Sequence, residues 1–238
     1  MALPKLNVVK HETTLPFSKE KITFRPYTVE DERILLAAEA ARDTDSSFYE
    51  RNVLQVIKNC LGDDSDKINS LPAVDIEFLL LQLRAKSAGE TVEFRFKDKE
   101  TGDVKKATVN LEQFKVEIDP EHVYTIELSD DVGLKMRDLT FTQKISYASK
   151  FNEKNKTDII FETIIDCVES VYDNDNIYVV GQDATREEVK QFIYSISGDA
   201  SKKLYTFVGT LPQLSVEGTL EDGSKHTFTG GEVDFLAL

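Results

Sequence analysis

The sequence predicts an α+β protein that is mostly helical, with two β-hairpins and a short additional strand pair. Three observations lead to this prediction. A long apolar segment has the end signals of a helix, two pairs of alternating segments flank turns that contain glycine, and several other segments carry apolar residues at helical spacing.

The segment from Leu71 to Gly89 predicts a buried central helix. Pro72 suits the first turn, because proline has no N–H to leave unpaired there. From Ile76 to Leu83 the segment is apolar on most sides, and such a helix is packed on most sides. Gly89 ends it.

Further helices follow from apolar spacing and from capping residues. Thr28 with Asp31, and Thr185 with Glu188, have the spacing of a capping box. The predicted helices cover residues 28–41, 48–61, 141–151, 158–172, 186–196 and 200–210.

Strand signals fall in two hairpins and one further pair. Gly102 and Gly223 lie in the two hairpin turns, and Gly102 can supply a positive φ there. The hairpin strands are 91–97 with 104–110 and 214–220 with 225–229, and the additional pair is 114–118 with 123–128. Residues 134–137 are too short a segment to assign.

The sequence offers a weak domain division. Residues 1–133 would hold the N-terminal arm, helices and first strands, and residues 134–238 the later helices and second hairpin. The stretch from Asp130 to Thr140 is the best boundary, although a single domain is equally compatible, because no Gly/Ser/Pro linker separates two parts.

Charge and cysteine content exclude several classes of function. With 43 acidic and 29 basic residues the formal charge is −14, which argues against binding nucleic acid or an anionic membrane. The charge suits a basic protein partner or simple solubility. Cys60 and Cys167 lie in apolar helical patterns without a CxxC partner, so we expect reduced, buried thiols and a cytoplasmic protein.

No pattern of catalytic, cofactor-binding or metal-ligating residues emerges. His11, His122 and His226 are scattered, and no GxSxG motif is present. The Asp/Asn-rich stretches 63–66 and 173–176 lack the glycine and glutamate that a calcium loop needs at its sixth and twelfth positions. We therefore expect no catalytic residue, no cofactor and no metal.

An ordered series of segments along the chain carries a resemblance to a known family. The series includes Ile-Thr-Phe-Arg-Pro-Tyr-Thr-Val-Glu-Asp-Glu-Arg-Ile-Leu-Leu over 22–36 and Leu-Arg-Ala-Lys-Ser-Ala-Gly-Glu over 83–90. It also covers residues 15–16, 71–72, 75–78, 126–133, 165–173, 207, 211–214 and the last hairpin with its tail. In this series the chain resembles the T4-type phage baseplate hub assembly family.

One departure from the family concerns metal. The hairpins of some members resemble small zinc ribbons with paired cysteines at the turns. Here the turns carry Lys-Asp-Lys-Glu at 97–100 and Glu-Asp-Gly at 221–223, without cysteine. A structural zinc site needs about four N or S ligands, and these turns offer none, so this departure predicts no metal. The hairpins would hold by turn chemistry and cross-strand pairs instead.

The resemblance implies a non-enzymatic viral protein that helps to assemble the hub of a contractile-tail baseplate. It would act by binding hub or tail proteins in the host cytoplasm during assembly, and the baseplate of the virion tail stays open as a second location. The expected contact residues lie in the arm, the hairpin turns and the C-terminal tail: Phe17, Gly102, Gly223, Val233, Phe235, Leu236 and Leu238. Two other functions stay open, a permanent structural baseplate subunit and a carboxylate-dependent hydrolase.

Overall fold

The computed structural model describes residues 7–41, 44–98, 101–151 and 154–229. In this part of the chain the α-helices are Val29–Ala41 (α1), Ser46–Leu61 (α2), Ala73–Ala88 (α3), Phe141–Lys150 (α4), Lys156–Cys167 (α5), Arg186–Ser195 (α6) and Asp199–Gly209 (α7). Short 3-10 helices cover Gly62–Asn69 and Leu111–Gln113.

The strands of the same part form three antiparallel sheets. They are His11–Thr14 (β1), Lys21–Phe24 (β2), Thr91–Lys97 (β3), Val104–Asn110 (β4), Lys115–Glu117 (β5), Thr125–Glu127 (β6), Gly133–Met136 (β7), Val168–Tyr172 (β8), Ile177–Val179 (β9), Gln213–Leu220 (β10) and Lys225–Thr229 (β11).

The chain folds as two compact units. The first unit comprises residues 1–117, 140–142 and 213–238 so far as they are described, and the second comprises 118–139 and 143–212. The division that the sequence suggested, between residues 133 and 134, stays a prediction.

In the first unit, α3 is the central helix that the sequence predicted. Its buried residues include Val74, Asp75, Ile76, Leu79 and Leu83, which point in several directions around the helix axis. One side packs on a five-stranded sheet of order β11-β10-β4-β3, with β5 also paired to β10. The shared core consists of Val74, Leu81, Ala85, Val92, Ala107, Val109, Leu111, Phe114, Leu214, Val216 and Phe228.

The second unit has its own sheet, of order β6-β7-β8-β9. Helices α5, α6 and α7 contribute apolar side chains to a separate core. That core includes Ile126, Leu134, Met136, Ile164, Cys167, Val168, Val189, Ile193, Leu204 and Phe207. The capping box of Thr185 and Glu188 at the start of α6 is confirmed.

The prediction of a mostly helical fold with two hairpins and one further strand pair is wrong. The residues that the structure describes form seven α-helices and eleven strands, and the strands pair into three sheets. One cause is the helix expected over 158–172, which ends at Cys167. Val168 to Tyr172 instead forms β8 between β7 and β9, a position that suits its β-branched and aromatic residues.

The expected pairing of 114–118 with 123–128 is also wrong. Both segments contain strands, but β5 pairs with β10 and β6 pairs with β7. The unassigned segment 134–137 lies largely in β7, at the centre of the second sheet. The arm contributes a further hairpin, since β1 pairs with β2.

Asp75 joins the N-terminal arm to the central helix. Asp75 is fully buried. Its two carboxylate oxygens accept hydrogen bonds from the backbone N–H groups of Phe17 and Ser18, at 2.9 and 2.8 Å. A carboxylate that accepts two backbone donors compensates for its own burial.

We expect Asp75→Ala to lower the free energy of unfolding by about 2–3 kcal/mol, since two backbone donors lose a charged acceptor. Urea denaturation of the full chain measures this. Asp199→Ala is the matched control, because the Asp199 side chain is 90% exposed and its loss should be nearly neutral. An Asp75→Ala variant as stable as the control would contradict the anchoring role.

Asp31 is a second buried carboxylate, at the start of α1. Burial alone would raise its pKa, but hydrogen bonds from Arg25, Thr28 and Asn59 outweigh burial and lower the pKa to about 2. The shortest of these bonds runs 2.7 Å from Arg25 Nη1 to Asp31 Oδ2.

Because the pKa of Asp31 is lower in the folded protein, its ionised form stabilises the fold at pH values above the unfolded-state pKa, which is about 3.9 for aspartate. As the pH falls from about 4 towards 2, we expect that contribution to be lost, because the unfolded carboxylate takes up its proton first. Urea midpoints at several pH values should fall more steeply for the wild type than for Asp31→Asn. Parallel pH profiles would show that Asp31 is not responsible.

Candidate functional site

The turns of the two hairpins in the first unit lie at the same end of one sheet. Strand β10 pairs with β4 through Thr219 opposite Thr108 and Leu220 opposite Ala107. Because the strands are antiparallel, the turn after β10 emerges beside the turn that leads into β4. We call residues 97, 98, 101–106 and 220–225 the hairpin end.

The first turn is held by backbone and side-chain hydrogen bonds from Asp98. The Gly102 N–H donates to the Asp98 carbonyl at 2.9 Å, and Gly102 has a φ of +77°, as the sequence predicted. Asp98 Oδ1 accepts from the Thr101 N–H, and Asp98 Oδ2 accepts from Lys105 Nζ at 2.5 Å. These hydrogen bonds fix the conformation of the described part of the turn.

The second turn is closed in a similar way. Gly223 has a φ of +81°, and its N–H donates to the Leu220 carbonyl at 2.9 Å. Asp222 Oδ1 accepts hydrogen bonds from the N–H and the hydroxyl of Ser224, and these bonds lower the pKa of Asp222.

Charged side chains connect the two turns. Lys106 on β4 lies 3.2 Å from Glu93 on β3 and 3.7 Å from Glu221 in the second turn. Val104, at the start of β4, is 69% exposed beside these ions. The hairpin end thus combines an exposed apolar side chain with alternating charges.

Below the hairpin end, four aromatic rings cover the core face of the sheet. Phe96 stacks on His226 with ring centroids 5.4 Å apart, and Phe228 meets Phe94 and Phe96 edge-on at 5.0 and 4.8 Å. Such pairs add about 0.5–1.5 kcal/mol each to the burial of the rings. Phe94, Phe96 and His226 remain half-buried, so the cluster is covered only in part.

The glycine at 218 makes room for this cluster. A Cβ atom at that position would lie 2.7 Å from the Phe228 ring and 2.9 Å from Val109 Cγ1. The Phe228 ring therefore occupies the space that a side chain at position 218 would need.

The other expected contact residues lie elsewhere. Phe17 is half-buried against the core of the first unit, and its N–H is bound by Asp75, so the structure places it with its own fold rather than at the hairpin end. Val233, Phe235, Leu236 and Leu238 lie outside the described residues. Their roles in binding stay predictions.

A second apolar surface, which the sequence did not indicate, lies in the second unit. Helices α5, α6 and α7 enclose a groove of about 300 Å³. Tyr194 and Tyr205 are 57% and 45% exposed at its side, and each meets Phe161 edge-on. Its other lining residues are Ile164, Ile193, Ile196, Ser201 and Leu204.

A comparison with protein families gave one match over nearly the whole chain. Residues 8–233 match the family described as T4 bacteriophage base plate protein. The chain belongs to this family. Searches of curated proteins and of solved structures found no match.

Burial shifts the pKa values of both cysteines and of one histidine of this baseplate protein. Burial raises the pKa of the Cys60 and Cys167 thiols to about 12. His122 is also buried, and burial lowers its pKa. Its Nδ1 lies 3.0 Å from the Thr210 hydroxyl, and its ring stacks on Phe207.

In the described part of the baseplate protein, no group of three or more His, Cys, Asp and Glu side chains is arranged to hold a metal ion. None of the helices described has the combined length and apolarity that crossing a membrane requires.

We expect Gly218→Ala to destabilise the baseplate protein by about 1–3 kcal/mol, because the added methyl group forces the Phe228 ring to move. Thermal and urea unfolding measure this. Gly209→Ala is the control, since a Cβ there meets nothing within 4 Å. Equal stability of the two variants would mean that the aromatic cluster does not need the glycine.

Proposed function

We propose that this baseplate protein helps to assemble the central hub of the contractile tail by binding hub or tail proteins through the hairpin end. The observation that carries the proposal is the meeting of both hairpin turns at one end of a single sheet. Two turns with defined hydrogen bonds present a preformed surface, which lowers the entropic cost of binding.

The composition of the hairpin end suits a protein partner. The Glu221 side chain is 69% exposed and Val104 is 69% exposed, and the half-buried aromatic cluster lies directly below them. At protein interfaces, aromatic side chains surrounded by polar groups often contribute much of the binding energy. The formal charge of −14 favours a partner with basic surface.

The proposed action is binding without catalysis. In support, the turns at the hairpin end use their carboxylates to hold backbone and lysine donors, as Asp98 and Asp222 do. Carboxylates committed in this way are structural. Binding would take place in the host cytoplasm while the tail is assembled.

The test is co-purification of the tagged full chain from infected cells, with mass spectrometry of what it retains. The variant Val104→Ser/Glu221→Lys changes exposed side chains of the hairpin end. The control Ile177→Ser/Asp199→Lys makes the same chemical changes at exposed positions of the second unit. We expect wild type and control to retain a hub or tail protein, and the hairpin-end variant to lose on the order of tenfold in affinity.

Equal recovery with the hairpin-end variant would contradict the assigned surface. Absence of any tail protein from the wild-type sample would contradict the assembly function itself. Purified virions add a second measurement, since an assembly factor should be depleted from them and a permanent subunit should be present at a fixed copy number.

A further inference from the structure

Strand β3 is the edge of the five-stranded sheet. Among the described residues it pairs only with β4, so the backbone groups on its other side form a free edge. Its seven residues, Thr91 to Lys97, span about 23 Å at the usual rise of 3.3 Å. Such an edge can accept another strand.

The charges on this edge are unbalanced within the chain. Arg95 lies directly opposite Lys106 of β4, and like charges at directly opposed positions are unfavourable. Lys106 in turn binds Glu93 at 3.2 Å. No ion pair joins Arg95 to a carboxylate of the described residues, and an added strand could supply one.

The sequence of β3 is complementary to itself when read antiparallel. If Phe94 faces Phe94 of a second copy, Glu93 of each chain faces Arg95 of the other. Thr91 then faces Lys97, and Val92 faces Phe96. A carboxylate accepts several hydrogen bonds, so Glu93 can meet Lys106 of its own chain and Arg95 of the other.

Neighbouring registers are unfavourable. A symmetric pairing centred on Glu93 places two glutamates opposite each other, and one centred on Arg95 does the same with two arginines. Both arrangements put like charges at the shortest cross-strand distance. The pairing centred on Arg95 also sets Glu93 opposite Lys97 of the other chain, but it keeps the two arginines together. Within the strand, only the pairing centred on Phe94 gives opposite charges twice without a pair of like charges.

The same register also brings together the partly buried aromatic side chains of the two chains. Phe94 and Phe96 are half-buried on the core face of the sheet. Side chains directly opposed across antiparallel strands lie on the same face, about 4.5–5.5 Å apart at Cβ. The aromatic clusters of two chains would therefore meet across the new strand pair.

We propose that two copies of this protein associate through antiparallel pairing of their β3 strands, with Phe94 at the two-fold axis. The contact is isologous, as is usual for homodimers. This proposal does not rest on the proposed function, since it concerns the purified protein alone. The short strand makes a small interface, so we expect the dimer to depend on protein concentration.

The test is sedimentation of the full chain over a range of concentrations, at about 0.15 M salt, where a screening length of about 8 Å limits repulsion between acidic chains. Arg95→Glu and Glu93→Arg each place like charges together twice. We expect each variant to dissociate on the order of tenfold more readily, and the double exchange Glu93→Arg/Arg95→Glu to restore the wild-type dimer.

Lys202→Glu is the control for Arg95→Glu, because it makes the same charge change at a side chain that is 79% exposed in the second unit. Circular dichroism should show that all variants are folded. A wild-type protein that is monomeric at every concentration would overturn the proposal. Failure of the double exchange to restore association would overturn it as well.

Cysteine pairing tests the register directly. We expect oxidation of a mixture of Glu93→Cys and Arg95→Cys chains to give mainly the mixed dimer, because these positions face each other. The native Cys60 and Cys167 are buried and should contribute little background. If dimers of two identical variant chains form as readily as mixed dimers, the Phe94-centred register is overturned.

Discussion

The hairpin end depends on one short pairing, between Thr219 and Leu220 of β10 and Thr108 and Ala107 of β4. Strand β10 also holds β5 at its start and β11 along its length, so it joins every other part of the sheet. Without that pairing the two hairpins would be separate. With it, their turns are fixed side by side and their apolar faces become one surface against α3.

The packing on that surface explains why particular residues occur there. Gly218 lies between Val109 and Phe228, where a side chain would collide with both. On the other side of the core, the buried carboxylate of Asp75 binds the arm through two backbone donors. The sheet, the central helix and the arm therefore form one continuous structure, and the hairpin end lies at one end of its sheet.

Local signals in the sequence predicted local structure well. The central helix, the capping box before α6 and the strands of both hairpins follow from periodicity and end residues, which depend on near neighbours. Pairing between distant segments was not predictable in this way. The sequence predicts a helix through β8 because the apolar residues of this segment continue the pattern of α5, and only the pairing with β7 and β9 makes it a strand.

In the candidate site, too, the features that depend on near neighbours were predictable, and those that depend on distant segments were not. Glycine and acidic residues revealed each turn, but not that Gly102 and Gly223 lie at one end of one sheet. The sequence predicts Phe17 as a contact residue of the arm, and its role in binding stays a prediction. The structure adds that its N–H donates to the carboxylate of Asp75, far along the sequence, while its ring is partly buried against the core. The groove beside Tyr194 and Tyr205 gave no signal, since helical spacing alone does not tell which aromatic rings stay exposed.

The acidic composition of the whole chain does not describe the charge at its sheet edge. On β3 and β4, Arg95 lies opposite Lys106, while Lys106 binds Glu93 and Lys105 binds Asp98. Fields from more distant charges are screened within about 8 Å at physiological salt, so a strand that approaches this edge meets an alternating pattern rather than a uniform negative one. Such a pattern selects a register as well as a partner, because antiparallel self-pairing centred on Glu93 or on Arg95 brings two like charges together, whereas pairing centred on Phe94 brings none together within the strand.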